Sequence, residues 1–230
     1  MDSAMTASEQ GKRAAGFMAV DRYVHDGTCI GLGTGSTAYW AVERVGERIA
    51  AGEKIRAVPT SRATEAQCAR LNIPMLPFGA CEMDVAIDGA DEVAEDWSLI
   101  KGGGGALFRE KAVALAARLF VVIVTPEKLV RRLGAFPTPV EVVPYSLSYV
   151  AHAIESVFGA RVVERGTGGA QFLTDNGNAI LDCTFREIED PGSLDGELRG
   201  IHGVVATGLF SGLTDAVIVG DEHGVRELSK

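Results

Sequence analysis

The segment Thr28-Cys-Ile-Gly-Leu-Gly-Thr-Gly-Ser-Thr37 joins a predicted strand to a predicted helix. Residues 28–33 have the composition of a strand, and residues 36–51 have helical periodicity with Ser36 or Thr37 as the N-cap. The glycines allow a tight turn, and unpaired amides at a helix start attract anions. Because α/β sheets bind phosphates at such turns, this segment predicts an α/β fold with an anion site after its first strand.

The same alternation of strand and helix continues toward the middle of the chain. Further strands are predicted at 54–60, 83–88 and 120–125, with helices at 62–71 and 106–119. Such alternation is typical of a parallel sheet. We therefore predict an α/β fold, a Rossmann-like parallel sheet with helices on both faces, to which the apolar segment 215–220 returns.

The pattern changes from about residue 136. A strand (140–143), a helix (148–158) and a strand (161–164) precede a hairpin (171–174 and 178–185, around Asn176-Gly177), a helix (194–199) and a strand (204–210). This order approximates β-α-β-β-α-β, a ferredoxin-like unit, with one strand to spare. We predict a small α+β domain at 133–207, a possible oligomer contact, inserted into an α/β catalytic domain formed by 1–132 and 208–230.

Composition argues against several classes of function. A formal net charge of −9 and a pI near 5.0 disfavour a nucleic-acid surface, which needs clustered Lys and Arg. We expect no membrane association, because no apolar run has spanning length. Residues 1–10 are polar and small, unlike a signal peptide, and are expected to fray. The four scattered cysteines predict reduced thiols in a cytoplasmic protein.

The glycine loop at 31–37 fits three kinds of structure. A dinucleotide fingerprint starting at Gly33 would end in Ala38, a tolerated variant, but the second strand ends in Pro-Thr-Ser61 without the acid that binds a ribose hydroxyl. A P-loop is excluded because no lysine follows the glycines. An ordinary tight turn is the structural alternative. A phosphomonoester suits the loop better, because bare amides lie beside three hydroxyls: Thr34, Ser36 and Thr37.

The motif Asp88-Gly-Ala-Asp91 directly follows a buried predicted strand, at the edge where α/β sheets place their chemistry. Gly89 permits a sharp turn, and the spacing can aim both carboxylates at one ligand. Alternatively, Asp88 caps a helix and Asp91 is solvated. We predict no metal, because no histidine is nearby, two aspartates underfill a hard-cation shell, and Lys101 is close in sequence.

Lys101 opens a run of four glycines, which lets a ligand approach the backbone closely, and helix 106–119 follows. Glu110 lies early in this helix, and its neighbours three and four residues away are small or apolar: Ala106, Leu107, Val113 and Ala114. No cation of the helix can pair with it, so we expect it to lack a cationic neighbour. Such a carboxylate suits a general base with a raised pKa; a solvent-facing Glu110 is the alternative. We expect Arg109 and Lys111 to be solvated.

Taken in order, these motifs resemble those of type A ribose-5-phosphate isomerase. The likeness is carried by Gly33-Thr-Gly-Ser-Thr37, Asp88-Gly-Ala-Asp91-Glu92, Lys101-Gly-Gly-Gly104, Arg109-Glu-Lys111, Phe136-Pro-Thr-Pro-Val-Glu-Val142, Thr174-Asp-Asn-Gly-Asn178 and Gly203-Val-Val to Gly208-Leu-Phe210. It covers nearly the whole chain from about Lys12 onward. The chain departs at Phe108, where a small polar residue is common, and at a fourth glycine, Gly105, which affects only local shape.

The resemblance implies interconversion of ribose 5-phosphate and ribulose 5-phosphate in the non-oxidative pentose phosphate pathway, without a cofactor, by a homo-oligomer, often a dimer. By matching position, Glu110 would be the catalytic base. Lys101 would stabilise the developing anion, and Asp88 and Asp91 would move hydroxyl protons. The implied substrate site comprises Thr34, Gly35, Ser36, Thr37, Gly89, Ala90, Gly102, Gly103, Gly104 and Lys128. Lys12 is a weaker phosphate candidate.

Other functions on the same fold stay open at this point. A sugar-phosphate deaminase or an acyl-CoA transferase relative would keep the fold and change the chemistry. A non-catalytic sugar-phosphate sensor would bind its ligand without needing Glu110. A dehydrogenase is the least favoured, because the second strand lacks its acidic residue.

Overall fold

The structure is a computed structural model that describes residues 5–185 and 188–228. These residues form two compact units. The first unit holds residues 5–89, 112–129 and 213–228, and the second holds 90–111, 130–185 and 188–212. The domain boundaries at 132/133 and 207/208 stay a prediction, because compactness does not establish which segments fold independently.

The first unit is built on a six-stranded sheet. Its strands are β1 (Cys29–Leu32), β2 (Arg56–Pro59), β3 (Val85–Asp88), β6 (Phe120–Val124), β14 (Ala216–Asp221) and β15 (Gly224–Leu228). They lie in the order β15-β14-β6-β3-β1-β2. All neighbours pair in parallel except β14 and β15. Parallel sheets are covered on both faces, and β1, β3 and β6 are buried throughout. The predicted Rossmann-like parallel sheet is confirmed, including the return of 215–220 to it.

Helices α1 (Ala7–Tyr23), α2 (Ala38–Ala50) and α3 (Arg62–Arg70) belong to this unit, and α4 (Leu107–Ala116) begins in the second unit and ends in the first. The expected fraying of residues 1–10 is wrong for 7–10, which are helical. Thr6 caps α1 by accepting the Glu9 amide. At Gly11 a Cβ would lie 2.6 Å from the Gly220 carbonyl oxygen, so glycine lets α1 pack directly on β14.

The second unit contains a four-stranded antiparallel sheet. Its strands are β7 (Thr138–Val142), β8 (Arg161–Glu164), β11 (Ala179–Thr184) and β12 (Val204–Thr207), with helices α5 (Leu147–Phe158) and α6 (Pro191–Arg199) between them. The order β12-β7-β11-β8 is that of a split β-α-β unit, so the predicted ferredoxin-like architecture is confirmed. A second sheet, β13 (Leu209–Phe210), β5 (Leu99–Ile100) and β4 (Glu92–Val93), was not predicted.

The predicted hairpin around Asn176-Gly177 is only half right. The turn exists, because Thr174 and Asn178 are joined by a 2.8 Å backbone hydrogen bond, but β11 pairs with β7 and β8. The short ribbon of β9 (Gly166–Thr167) and β10 (Ala170–Gln171) lies before the turn. The turn is held instead by the fully buried Glu141 carboxylate, which accepts bonds from Thr174, Asn176 and Asn178.

The prediction of four reduced cysteines is wrong. Cys29 of β1 forms a disulfide with Cys81, 52 positions along the chain. Cys68 and Cys183 are buried free thiols, and desolvation raises the pKa of Cys68 to about 11 and that of Cys183 to about 12. Spacing gives no signal for this disulfide, because the sheet alone brings its partners together.

Within the described ranges, no helix has the length and apolar character needed to cross a bilayer.

Candidate active site

The glycine loop of the first unit follows β1 and leads into α2. Gly33 continues the sheet by donating to the Ile87 carbonyl, and the Thr34 amide donates to Asp88 Oδ1 at 3.1 Å. Gly35 has a φ of +110° and is exposed, as is Ser36. Helix α2 begins at Ala38 with Thr37 as N-cap, and the Thr37 side chain makes no capping bond within the described chain. The amides at this helix start therefore meet no capping hydroxyl.

The Thr34 hydroxyl lies in a cluster of hydroxyls that the sequence analysis missed. It is 2.8 Å from Thr60 Oγ1 and from Ser61 Oγ, and 3.2 Å from Thr64 Oγ1. Thr60 and Thr64 donate in turn to the carbonyls of Leu32 and Gly33. These bonds fix the start of the loop against β2 and α3. The sequence contained a signal for this hydroxyl cluster in Pro-Thr-Ser61, but these residues were interpreted only as evidence against a dinucleotide site.

A cavity of about 700 Å³ opens beside this loop within the first unit. Its lining includes Gly33, Thr34, Gly35, Ser36, Tyr39 and Arg70. The loop therefore presents its exposed backbone to a space large enough for a small ligand.

Asp88 ends β3 and is 3% exposed. Its Oδ1 accepts the amides of Thr34 and Gly89, at 3.1 and 2.7 Å. A Cβ at Gly33 would collide with this carboxylate, so glycine is required there. The alternative that Asp88 caps a helix is wrong, because the next element is strand β4. Its carboxylate instead ties the glycine loop to the end of β3.

The two lysines proposed for phosphate differ in their surroundings. Lys128 ends a short 3-10 turn, Pro126–Lys128, and is half-buried. In the part of the chain that the structure describes, its side chain forms no hydrogen bond or ion pair with the glycine loop. Lys12 pairs with Glu9 at 3.0 Å on α1. The structure therefore brings Thr34 and Asp88 together but gives neither lysine a direct bond to the loop.

In the second unit, Lys101 and Glu110 form a buried ion pair. Lys101 Nζ is 3.5 Å from Glu110 Oε2, and the side chains are 2% and 4% exposed. Lys101 follows β5, where its amide donates to the Gly208 carbonyl, and Glu110 lies in the first turn of α4. The solvent-facing alternative for Glu110 is wrong. So is the expectation that it lacks a cationic neighbour, because the cation comes from outside its helix.

Asp91 is half-buried and accepts the Gly103 amide at Oδ2, 2.8 Å away. A Cβ at Gly103 would lie 2.7 Å from the same carboxylate, so only glycine lets the two backbones approach this closely. Gly102 has a φ of +97°, while Gly103 and Gly104 are exposed. Gly89 and Ala90, between the two aspartates, are half-buried. Glu92 is structural: it is 3% exposed and accepts the amides of Gly134 and Phe136.

The prediction of solvated charges at Arg109 and Lys111 is wrong for Lys111. Its side chain is 13% exposed and lies 2.8 Å from Asp195 Oδ1. Desolvation, the largest influence, lowers the pKa of Lys111. Burial is also the largest single influence on Asp195 and would raise its pKa, but the hydrogen bonds from Lys111 and Thr207 and the nearby positive charges together lower it. Arg109 is half-buried and donates to Asn176 Oδ1 at 3.0 Å.

Among the described residues, no group of three or more His, Cys, Asp or Glu side chains has the arrangement of a metal site.

Known families and proteins resemble this chain over most of its length. The family described as ribose 5-phosphate isomerase A (phosphoriboisomerase A) matches residues 56–224. A ribose-5-phosphate isomerase A from Bacillus mycoides (strain KBAB4) is 43% identical over 219 residues, which are 94% of this chain and 96% of that protein.

Two solved structures extend the likeness to the fold. Ribose 5-phosphate isomerase A from Methanocaldococcus jannaschii is 40% identical, with a TM-score of 0.90 over 95% of this chain and 98% of that one. A D-ribose-5-phosphate isomerase in complex with phospho-erythronic acid is 37% identical, with a TM-score of 0.93 over 98% of this chain and 100% of that one. The chain belongs to the ribose 5-phosphate isomerase A family.

Proposed function

We propose that this protein interconverts ribose 5-phosphate and ribulose 5-phosphate through an enediolate, with Glu110 as the base. Membership of the family supports the reaction. The buried Lys101–Glu110 pair carries the assignment of the base. Burying an ion pair has a desolvation penalty that can exceed the attraction between the charges, so such a pair is poor support for stability. Its presence at the start of the glycine run therefore favours a chemical role.

The proposed reaction uses one base for two neighbouring carbons. In the open-chain aldose, Glu110 takes the proton from C2, the C2 electron pair forms a C1–C2 double bond, and the C1 carbonyl oxygen becomes anionic. The C2 hydroxyl then gives up its proton, the carbonyl forms at C2, and Glu110 returns its proton to C1. The O1 anion takes up a proton, so no atom or electron is gained or lost.

Negative charge on the sugar oxygens needs fixed donors in a poorly hydrated place. Lys101 is proposed to supply a positive charge there, because its ammonium pairs with the Glu110 carboxylate, and its 2% exposure makes the place poorly hydrated. The glycine run adds backbone amides without side chains that would keep a substrate away. Asp88 and Asp91 are proposed to move hydroxyl protons, including the one transferred when the furanose ring opens. Asp91 is oriented for this by the Gly103 amide.

The phosphate is proposed to bind at the glycine loop, with Gly35, Ser36 and Thr37 as its main ligands. Thr34 has its amide on Asp88 and its hydroxyl in the cluster with Thr60 and Ser61, so it fixes the loop more than it binds. Lys128 acts at longer range through its charge. One relative was solved in complex with phospho-erythronic acid. We propose that this chain binds the same acid, because its planar carboxylate resembles the charge distribution of the enediolate.

The other functions considered for this fold are not favoured. The relatives reported above are named as isomerases, not as deaminases or transferases. A sensor has no need of a buried base beside a cation. Replacing Glu110 with an uncharged residue distinguishes directly between catalysis and binding alone.

The test is a coupled assay of ribose 5-phosphate isomerisation with the wild type, Glu110→Gln and the control Glu155→Gln. Glu155 lies on the exposed face of α5 in the same unit. We expect Glu110→Gln to lose about 100-fold or more of kcat with little change in KM. We expect Glu155→Gln to match the wild type. Near-normal turnover by Glu110→Gln would show that another residue is the base, and an inactive wild type would refute the function itself.

We also propose that the protein acts as a homodimer in the cytoplasm, within the pentose phosphate pathway. Support for self-association comes from apolar side chains on α5 and the turn before it, where Tyr145, Tyr149 and Val157 are 99%, 61% and 71% exposed. Sedimentation velocity of the wild type and of Tyr149→Glu tests this, with dimer and monomer expected respectively. A cytoplasmic location is supported by a charged sugar phosphate as substrate, and cell fractionation tests it.

A further inference from the structure

We propose that Arg165 is a positioning residue for the isomerase reaction. It fixes the peptide groups after Gly102 and Gly103, so that the Gly103 amide holds Asp91 and the Gly104 amide lies on the side that receives the developing anion. This inference rests on the proposed function, because it names the residue that orients the Gly104 donor and the Asp91 carboxylate. Arg165 stands outside every motif used in the sequence analysis.

The contacts of Arg165 end on two successive carbonyls. Its Nη1 is 2.9 Å from the Gly102 oxygen and 3.2 Å from the Gly103 oxygen. A guanidinium is planar and always charged, so its hydrogen bonds to carbonyls are charge-assisted and directional. Both glycine carbonyls therefore point to the same side of the loop.

Because the peptide bond is planar, the direction of each carbonyl also fixes the direction of the amide that follows it. In a planar trans peptide, the carbonyl and the following N–H point to opposite sides, and the described chain has no cis peptide bond. The Gly103 amide accordingly points away from Arg165 and donates to Asp91. The same rule directs the Gly104 amide away from Arg165. On that side the Gly103 amide binds the Asp91 carboxylate, and the Gly104 amide is directed toward the substrate anion.

Arg165 is itself held rigidly. Its Nε is 2.9 Å from Asp182 Oδ2, and its Nη2 is 2.5 Å from Asp182 Oδ1, which makes a bidentate pair. The side chains are 14% and 24% exposed, so solvent screens the pair only partly. Asp182 lies in the middle of β11, and the Arg165 amide donates to Ile180 of the same strand. A sheet thus sets the position of the guanidinium, which sets the position of the loop.

The charge of Arg165 has a further consequence. A cation on the carbonyl side polarises both peptide groups and strengthens the hydrogen bonds that their amides donate. A purely structural Arg165 would hold the loop without affecting the transition state more than the ground state. The two roles differ in kinetics: a positioning role lowers kcat, whereas a structural role lowers stability.

The experiment compares Arg165→Ala and Arg165→Lys with the matched control Arg161→Ala, an exposed arginine on β8. We expect Arg165→Ala to lower kcat about 10-fold or more, with KM within about twofold, and Arg165→Lys to recover part of the loss. Inhibition by phospho-erythronic acid weakens in step with kcat, whereas inhibition by inorganic phosphate is unchanged. Arg161→Ala behaves as the wild type. Thermal unfolding of each variant reports whether it is folded.

Chemical rescue separates positioning from structure. Guanidinium chloride at tens of millimolar is expected to restore kcat of Arg165→Ala at least about threefold and to leave Arg161→Ala unchanged. Asp182→Asn, which keeps the Arg165 charge but loosens it, gives a smaller loss of kcat and serves if Arg165→Ala does not fold. Normal kcat in Arg165→Ala and in Asp182→Asn, or an equal loss of phosphate and phospho-erythronic acid inhibition, would overturn the inference. An inactive wild type or an active Glu110→Gln would instead overturn the proposed function.

Discussion

The glycine loop of the first unit (residues 31–37) and the charged cluster of the second unit, Lys101 and Glu110, are proposed to act on anions by different physical means. The loop relies on neutral dipoles: the exposed backbone of Gly35 and Ser36, the start of α2, and hydroxyls tied to one another. The cluster relies on charges removed from water, because Lys101 and Glu110 are almost fully buried. Neutral dipoles in contact with solvent can bind an anion with a small desolvation penalty. Desolvated charges act strongly on a reacting atom, since the dielectric around them is low.

This difference leads to a kinetic expectation for the two regions. Changes in the loop should act mainly on KM, because a bound phosphate is the same in the substrate and in the transition state. Changes in the cluster should act mainly on kcat, because the charge it stabilises exists only during the reaction. A set of variants with matched controls can therefore test the two expectations separately.

The largest effect is expected from Lys101→Met, which keeps the length of the side chain and removes its charge. We expect kcat to fall about 100-fold or more, since one oxyanion donor is commonly worth that much. KM should change by less than about threefold. Lys54→Met is the control, because Lys54 is exposed and outside both regions. A fall in kcat/KM that comes entirely from KM would place Lys101 with the phosphate ligands instead.

A smaller effect is expected from Gly35→Ala. A Cβ there meets open space, so the substitution acts only by straining a φ of +110°. We expect KM for ribose 5-phosphate and the inhibition constant of inorganic phosphate to rise about 10-fold, with kcat changed less. Gly52→Ala is a matched control, because its φ is +106° and its Cβ is equally free, in a turn after α2. Similar kinetics in the two variants would remove the loop from phosphate binding.

The same two regions differ in how much of them the sequence predicted. The loop and the parallel sheet are local: strand, glycines and helix follow one another within 28–51, so periodicity and turn chemistry suffice. The ferredoxin-like unit was predicted on the same grounds. Helix α1 was not predicted: residues 1–10 were expected to fray, and Gly11, which its tight packing on β14 requires, is a poor helix former.

The charged cluster was predicted only in part, because its pairing is not local. Periodicity correctly placed Glu110 away from solvent, but the helix pattern gave no view of Lys101, which approaches from the end of β5. Lys111 was misjudged for the same reason, since its partner Asp195 lies on α6. Arg165 was missed altogether, as its bonds to the glycine run are side chain to backbone and leave no pattern in the sequence. Sequence periodicity indicates burial, and only the fold supplies partners.

The disulfide offers a test confined to the first unit. Cys81→Ser removes a cross-link that spans 52 positions, which is worth about 3 to 4 kcal/mol in the chain-entropy account. We expect the melting temperature to fall by several degrees while kcat and KM change by less than about twofold. Titration of the denatured protein should find two thiols before reduction and four after it. Four thiols without reductant would show that Cys29 and Cys81 are not joined, and an altered kcat would show that they influence the cluster.

The smallest effect is expected from chelation. In the proposed reaction the charge that a divalent ion would supply comes from the Lys101 ammonium, 3.5 Å from the base. Asp91, the other acid of that unit in the reaction, already accepts the Gly103 amide. We therefore expect dialysis against EDTA to leave kcat and KM within experimental error, in the wild type and in Gly35→Ala alike. A reproducible loss restored by a divalent ion would mean that a metal shares the work assigned to Lys101, and Lys101→Met should then be far less damaging than predicted.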